Sequence, residues 1–313
     1  MENTTVYQNF SKQEKRRLRR ANRIRESVLD NVLGVLNVAL LIFGVIITIL
    51  PLLNFFSLAF NSGYSNDKVL FWPVEISWYS FKYIFQGGGA TKFWTAFGNS
   101  VFITIVITIG SNLVEAMAAY VLSKRDCPFR SGIMMYFIIT MLFSAGIVPI
   151  YLLMYMFHLL NTLWSVILIS ISNVTNLLYF KTFFEGISPD IEEAAKLDGA
   201  SELQLFFLII VPMSLPIIGS CCFFTIVGTW NGYGSALLFI TESPKNESVM
   251  PLAYYIYYFM HRAALDYTDT TFSMHILNVQ AAMMLLSIVP IILMYPYIVR
   301  YIKSGLQIGS VKG

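Results

Sequence analysis

The sequence predicts an all-α, polytopic membrane protein with six transmembrane helices. Three observations carry that prediction. Of 313 residues, 56% are apolar, 15% aromatic and only 12% charged, which is too little polar surface to cover a soluble globule of this size. The apolar residues gather into runs of about 20, the length a helix needs to cross a hydrocarbon core of about 30 Å. Lysine and arginine also sort to one side once those runs are threaded through a bilayer.

The chain begins with a basic stretch, Ser11 to Arg25, carrying Lys12, Lys15, Arg16, Arg17, Arg19, Arg20, Arg23 and Arg25. The apolar run that follows, Leu33 to Phe60, is longer than a signal-peptide core and lacks a small-residue cleavage site, so it is expected to be a retained first span. A nucleic-acid arm is the rival reading of the basic stretch; the neighbouring span favours a membrane-orienting role, and no nucleic-acid partner is expected. Five further runs follow at Ser100 to Leu122, Gly132 to Met154, Leu163 to Phe180, Met213 to Trp230 and Asn278 to Ile298. The expected organisation is a cytoplasmic arm over 1–31, a first span with an outer segment over 32–98, and a transmembrane core over 99–313.

With the N-terminus inside, the inner side holds eight cations in the arm, three near 123–131, two in 181–212 and three in the tail. The outer side holds Lys68, Lys82, Lys92, Lys245 and Arg262. Sixteen against five satisfies the positive-inside rule, so both termini are expected in the cytoplasm. Two outer segments are long, Asn61 to Gly98 and Asn231 to about Phe272, and both are rich in aromatics. Interfacial helices lying against a partner and plain solvated connectors both fit them.

Several function classes lose support. Cys127, Cys221 and Cys222 have neither disulfide nor metal-ligand spacing and read as small packing residues. The sequence has no phosphate-binding loop, since the stretch from Gly87 to Lys92 has the wrong spacing. His158, His261 and His275 fall outside the expected spans, so no intramembrane relay of a proton-coupled carrier is evident. Glu115 is the one acid well inside an expected span, and an intramembrane carboxylate is a functional candidate by its cost. Pairing with an amide or hydroxyl of a neighbouring helix, or a place near the cytoplasmic end in contact with water, is the plainer reading.

The inner segment from Ser188 to Pro212 reads as two short helices joined by a sharp turn. Ser188 suits an N-cap, Pro189 the first helical position, and Asp190 and Glu192 the positive end of the helix dipole. Gly199 is the residue best able to end this helix in a left-handed conformation. Ser201 with Gln204 makes a capping box for a second helix through Leu205 to Val211. Ala194, Ala195, Gly199 and Ala200 would let another surface approach closely, while Glu193 and Asp198 offer charge.

Glu193-Ala194-Ala195, three residues, Gly199, nine residues, Ile209, one residue and Val211-Pro212 resembles the EAA signature of bacterial ABC import permeases, with Val211 standing where leucine is commonest. The similarity extends through Ala119 to Lys124, Gly146 to Tyr151, Leu160 to Trp164, Trp230 to Tyr233 and Pro290 to Gly313, which look like the maltose-transporter-like, carbohydrate-uptake branch. The resemblance implies the type I ABC importer permease fold, with a second permease subunit, two ATPase subunits that hold ATP and Mg, and an extracytoplasmic solute-binding protein. It also implies that Glu193, Ala194, Ala195, Asp198 and Gly199 carry the contact with the ATPase, that the chain is no enzyme, and that it resides in a bacterial inner membrane. Oligosaccharides or polysaccharide fragments are the expected cargo; a non-sugar cargo, or an ATP-independent carrier, are the alternatives. Sugars are held by aromatic faces and by amide and hydroxyl hydrogen bonds, which makes Trp230, Asn231, Tyr233, Asn173, Asn176, Tyr179 and Glu115 chemically suitable pathway residues. Aromatics near span ends serve equally as interfacial anchors.

Overall fold

The computed structural model describes residues 28–62, 71–87, 90–265 and 270–310, with side chains described for 32–62, 71–87, 90–261 and 275–296. The basic arm, Lys12 to Arg25, lies outside the described residues. The chain divides into two compact units, Met1–Asn54 and Phe55–Gly313.

Within the first unit, the described residues form most of helix α1, Val28–Phe60. From Val32 to Leu53 its large apolar side chains are exposed on every face, the condition of a helix whose surroundings are lipid.

In the second unit α1 ends at Phe60 and the chain turns back on itself. Asn61 forms a bridge with Ile76, and Asn278 donates its side-chain amide to the Leu58 and Asn61 carbonyls, both at 2.8 Å. These bonds satisfy the carbonyls that a helix end leaves without intrahelical partners. A short helix α2, Tyr79–Phe85, leads to α3, Ala90–Ser123, which is the axis of the unit. Its 34 residues correspond to about 50 Å at helical rise, enough to cross a bilayer core without a break. It starts ten residues before the apolar run suggests, because Ala90 to Asn99 continue the helix, with Phe93 and Ala96 buried in the core. That extension is bonded on its side: Asn99 donates to the Ser248 and Met250 carbonyls at 2.9 and 3.1 Å, the Leu252 N–H donates to Ser100 Oγ at 2.7 Å, and Lys92 pairs with Glu247 at 2.6 Å.

The runs at 132–154 and 163–180 each form a bent helix pair, and the run at 213–230 forms one helix that meets the preceding helix at a sharp bend. Helices α4, Arg130–Leu142, and α5, Ile147–Met156, meet at 104°. The apolar run from Gly132 to Met154 thus holds two shorter helices, parted where Gly146 adopts φ +86°. Helices α6, Leu163–Ser170, and α7, Val174–Glu185, bend by 40° across residues 171–173. Helix α8, Pro189–Leu197, precedes α9, Glu202–Met213, which meets α10, Leu215–Asn231, at 81°. Two causes of kinking converge there, a π turn at Leu205–Ile210 and Pro212 just before the break at Ser214.

Helix α11, Gly234–Phe239, a 3₁₀ turn at Pro244–Val249 and α12, Leu252–Leu265, follow. Asn161 at φ +59° anchors this region: its Oδ1 accepts the Thr241 N–H at 2.8 Å and the Asn246 side-chain amide at 3.1 Å. Helix α13, Thr270–Ser310, carries the last expected run, and its described side chains, 275–296, are apolar enough to cross a membrane. Among the described residues three helices are long and apolar enough to cross a membrane, and six spans result if each bent pair counts as one.

Two buried clusters run along α3. The first joins its opening half, through Phe93, Ile103 and Ile107, to α11, α12 and α13. The second joins its closing half, through Ala116, Ala119, Tyr120 and Leu122, to α7, α8 and α9. One continuous helix therefore packs against α6 and α7 of one bent pair and α10 of another.

Candidate functional site

The end of α8 and the start of α9, residues 188–204, form a knuckle, and it arises from the local signals in its sequence. Pro189 occupies the first turn of α8, where its missing N–H costs nothing. Ser188 is extended, as a cap must be, but its hydroxyl donates to Asp190 Oδ2 at 3.0 Å and does not accept a backbone N–H. At the other end Gly199 sits at φ +85°. Its N–H donates to the Lys196 carbonyl at 3.1 Å, and the Ala200 N–H donates to the Ala195 carbonyl at 3.0 Å. That pair of bonds is a Schellman motif, which returns the chain sharply towards α9. There the capping box is complete: the Gln204 N–H donates to Ser201 Oγ at 3.3 Å, and the Ser201 N–H to Gln204 Oε1 at 2.9 Å. Replacing Ser201 with alanine removes the accepting hydroxyl, and the expected result is a loss of about 1 kcal/mol, read as a lowered unfolding temperature of the purified protein.

The site residues divide by exposure. Glu193, Ala194, Asp198 and Gly199 are exposed, whereas Ala195 is buried against the cluster containing Leu205 and Phe206. Ala195 is thus the foot on which α8 stands, and its small side chain permits the close approach. Leu197, which sequence reasoning did not single out, is 89% exposed beside Asp198. A leucine so exposed at the tip of a charged turn adds an apolar point of contact to the polar ones.

The knuckle is tied to the end of α3. Lys124 pairs with Glu192, Tyr120 Oη donates to Glu202 Oε2 at 3.4 Å, and Lys124 lies 4.0 Å above the Tyr120 ring. Lys196 pairs with Glu202 at 2.7 Å, and this hydrogen bond is the main cause that raises the Lys196 ammonium above the ordinary lysine range. Arg130 pairs with Glu185 at the end of α7 and donates from Nε to the Leu122 carbonyl at 2.8 Å. Single exposed pairs contribute little, but these converge on one short stretch, Tyr120 to Lys124, from three sides. Sequence reasoning singled out that stretch only for its resemblance. The available signal was the i, i+4 spacing of Tyr120 and Lys124, which puts both on one helix face.

The pathway candidates do not form one group. Trp230 is 7% exposed within the first cluster and donates its indole N–H to the Ser287 carbonyl at 2.9 Å. Asn176 is buried and donates to Thr225 Oγ1 at 3.2 Å. Glu115 is buried, and its Oε1 accepts the Asn173 N–H at 2.7 Å. Asn173, Tyr179, Asn231 and Tyr233 are exposed. Tyr233 lies 5.3 Å from the Tyr257 ring in a stacked arrangement, and Tyr179 lies 6.5 Å from Phe224. Among the described residues no group of His, Cys, Asp and Glu is disposed to hold a metal ion.

Residues 116–307, which contain the knuckle and its ties, match the family described as binding-protein-dependent transport system inner membrane component. The chain is similar to the polygalacturonan/rhamnogalacturonan transport system permease protein YtcP of Bacillus subtilis (strain 168), with 30% identity covering 88% of this chain and 96% of that one. It is also similar to protein LplC of the same organism, 32% identical, covering 85% and 90% of the two chains. Among solved structures it resembles a chain of a bacterial ABC transporter involved in the import of the acidic polysaccharide alginate. The TM-score there is 0.76 at 26% identity, covering 88% of this chain and 98% of that chain.

Proposed function

This chain belongs to the family of binding-protein-dependent transport system inner membrane components, and on that premise we propose that its knuckle docks a separate ATPase subunit and thereby drives uptake of oligosaccharides or polysaccharide fragments. The chain is a multi-pass permease of a sugar ABC importer, related over most of its length to a polygalacturonan/rhamnogalacturonan permease. The finer assembly is a second permease of similar fold, two ATPases holding ATP and Mg, and an extracytoplasmic solute-binding protein. Both termini face the cytoplasm in this reading, with 1–31 as a cytoplasmic arm, 32–98 as the first span and outer segment, and 99–313 as the permease core.

The observation that carries the docking reading is the form of the knuckle. Glu193, Ala194, Leu197, Asp198 and Gly199 are exposed on a compact turn, while the base of that turn is fixed to α3 through Lys124–Glu192 and Tyr120–Glu202. An exposed tip on an anchored base transmits displacement. When ATP binding draws the ATPases together, the knuckle moves with them, and α3 carries the motion across the bilayer while the bent pairs absorb it. That is alternating access by a two-state element, biased by ATP on one side and by loaded binding protein on the other. No step of covalent chemistry is assigned to this chain.

The test is to tag the chain, extract it in mild detergent and identify what copurifies by mass spectrometry. An ATPase and a second permease are expected, and vesicles holding that complex should accumulate labelled oligosaccharide only with ATP and binding protein. Recovery of the chain alone in several detergents would instead favour an ATP-independent carrier. Uptake of a non-sugar solute by the same complex would correct the cargo and leave the machine intact.

A further inference from the structure

Glu115 lies on α3, 2% exposed, five residues before Tyr120, the first of the residues that hold the knuckle. Its Oε1 accepts the backbone N–H of Asn173 at 2.7 Å. Asn173 stands at the break between α6 and α7 and caps α7, its own side chain accepting the Thr175 N–H at 2.9 Å. The N–H groups freed by the break are thus divided between Asn173 itself and a carboxylate on the neighbouring helix. Away from water a freed N–H needs such an acceptor, and a bend in a spanning helix is tolerated where neighbours supply one.

Other polar ties lie close by. The Asn176 amide stands beside the Glu115 carboxylate and donates to Thr225 Oγ1 of α10, which also accepts from Asn112 of α3 at 3.4 Å. Asn112 in turn donates to the Thr108 carbonyl at 2.8 Å. Helices α3, α7 and α10 are therefore linked near the α6–α7 bend, and α7 runs from that link to Glu185, just before the knuckle.

We propose that Glu115 is a positioning residue for coupling: its carboxylate oxygen latches the start of α7 to α3, so that a displaced knuckle moves α3 and α7 as one body. Bending is then left to residues 171–173 and to the break at Ser214. What this role needs is an acceptor oxygen, not a negative charge, and the burial of Glu115 keeps it from contact with a passing sugar. The inference rests on the importer reading, since it concerns how that importer's stroke is transmitted.

The test uses the full complex in vesicles with binding protein, measuring sugar accumulated per ATP hydrolysed. Glu115→Gln keeps a carbonyl oxygen in place and is expected to retain the unaltered ratio. Glu115→Leu keeps the bulk without an acceptor, and is expected to hydrolyse ATP while sugar per ATP falls about tenfold. Loss of transport in Glu115→Gln as severe as in Glu115→Leu would show that the charge itself is needed and overturn the latch. An unchanged ratio in Glu115→Leu would also overturn it. If the leucine variant does not assemble, Glu115→Ala removes the acceptor without the apolar bulk and carries the same expectation and the same power to overturn. Failure of the unaltered chain to recover an ATPase would bring down the importer reading and the latch together, an outcome distinct from an intact complex that ignores both substitutions.

Discussion

Gly199→Val is expected to lower uptake about tenfold or more while leaving the chain inserted in the membrane. Gly199 occupies the left-handed region at φ +85°, where a Cβ meets the following carbonyl at a cost of about 1–2 kcal/mol, and a β-branched residue is a true outlier. Space is not the obstacle, because a Cβ built at this position has nothing within 4 Å. A substitution series therefore reads the backbone alone. Asparagine tolerates this region best among residues with a side chain and should retain most uptake; alanine should be intermediate. Valine should lose about tenfold or more, since breaking the Schellman bonds of Gly199 and Ala200 re-aims Glu193, Leu197 and Asp198 together. The measurements are ATP-dependent uptake and the amount of ATPase recovered with the tagged chain, and both should fall in the same order. Valine at full uptake would mean that the turn carries no docking.

The knuckle was legible because its determinants are local. Pro189, Gly199, Ser201 and Gln204 act on neighbours within a few residues, and each does what its type and spacing suggest. Only Ser188 departs, its hydroxyl turning to Asp190. The spans were legible as lengths of apolar sequence but not as directions. Apolar content specifies that 132–154 enters lipid, while the 104° bend at Gly146 depends on backbone geometry that hydropathy does not record. Glu115 could be flagged from its position, yet its partner could not be named, because the donor is the backbone N–H of Asn173 and every non-proline residue carries one. Long-range ties such as Lys124–Glu192 and Tyr120–Glu202 were hidden for a related reason: charge patterning pairs residues on one helix, not across separate elements.

Trp230→Ala is expected to give the largest stability loss of any single change considered, about 3–5 kcal/mol, with little effect on the affinity for sugar of whatever complex survives. The side chain joins three helices. It sits on α10, meets the Phe97 ring of α3 edge-on at 5.5 Å, and donates to the Ser287 carbonyl of α13. Truncation leaves a cavity among all three. Trp230→Phe retains most of the ring and removes the N–H bond, so a loss of only about 1 kcal/mol is expected. Its neighbour Asn231 is exposed, as is Tyr233, although one short motif, Trp230 to Tyr233, contains all three. Unfolding temperature and the KM for uptake, measured on the same preparations, separate the two roles. A structural Trp230 lowers the temperature steeply in the alanine variant and leaves KM unchanged. A sugar-contacting Trp230 would raise KM in both variants and barely move the temperature. The opposite pattern is expected of Asn231→Ala and Tyr233→Ala if either faces the cargo: a raised KM at constant stability, because neither side chain is buried in the core that Trp230 helps to fill.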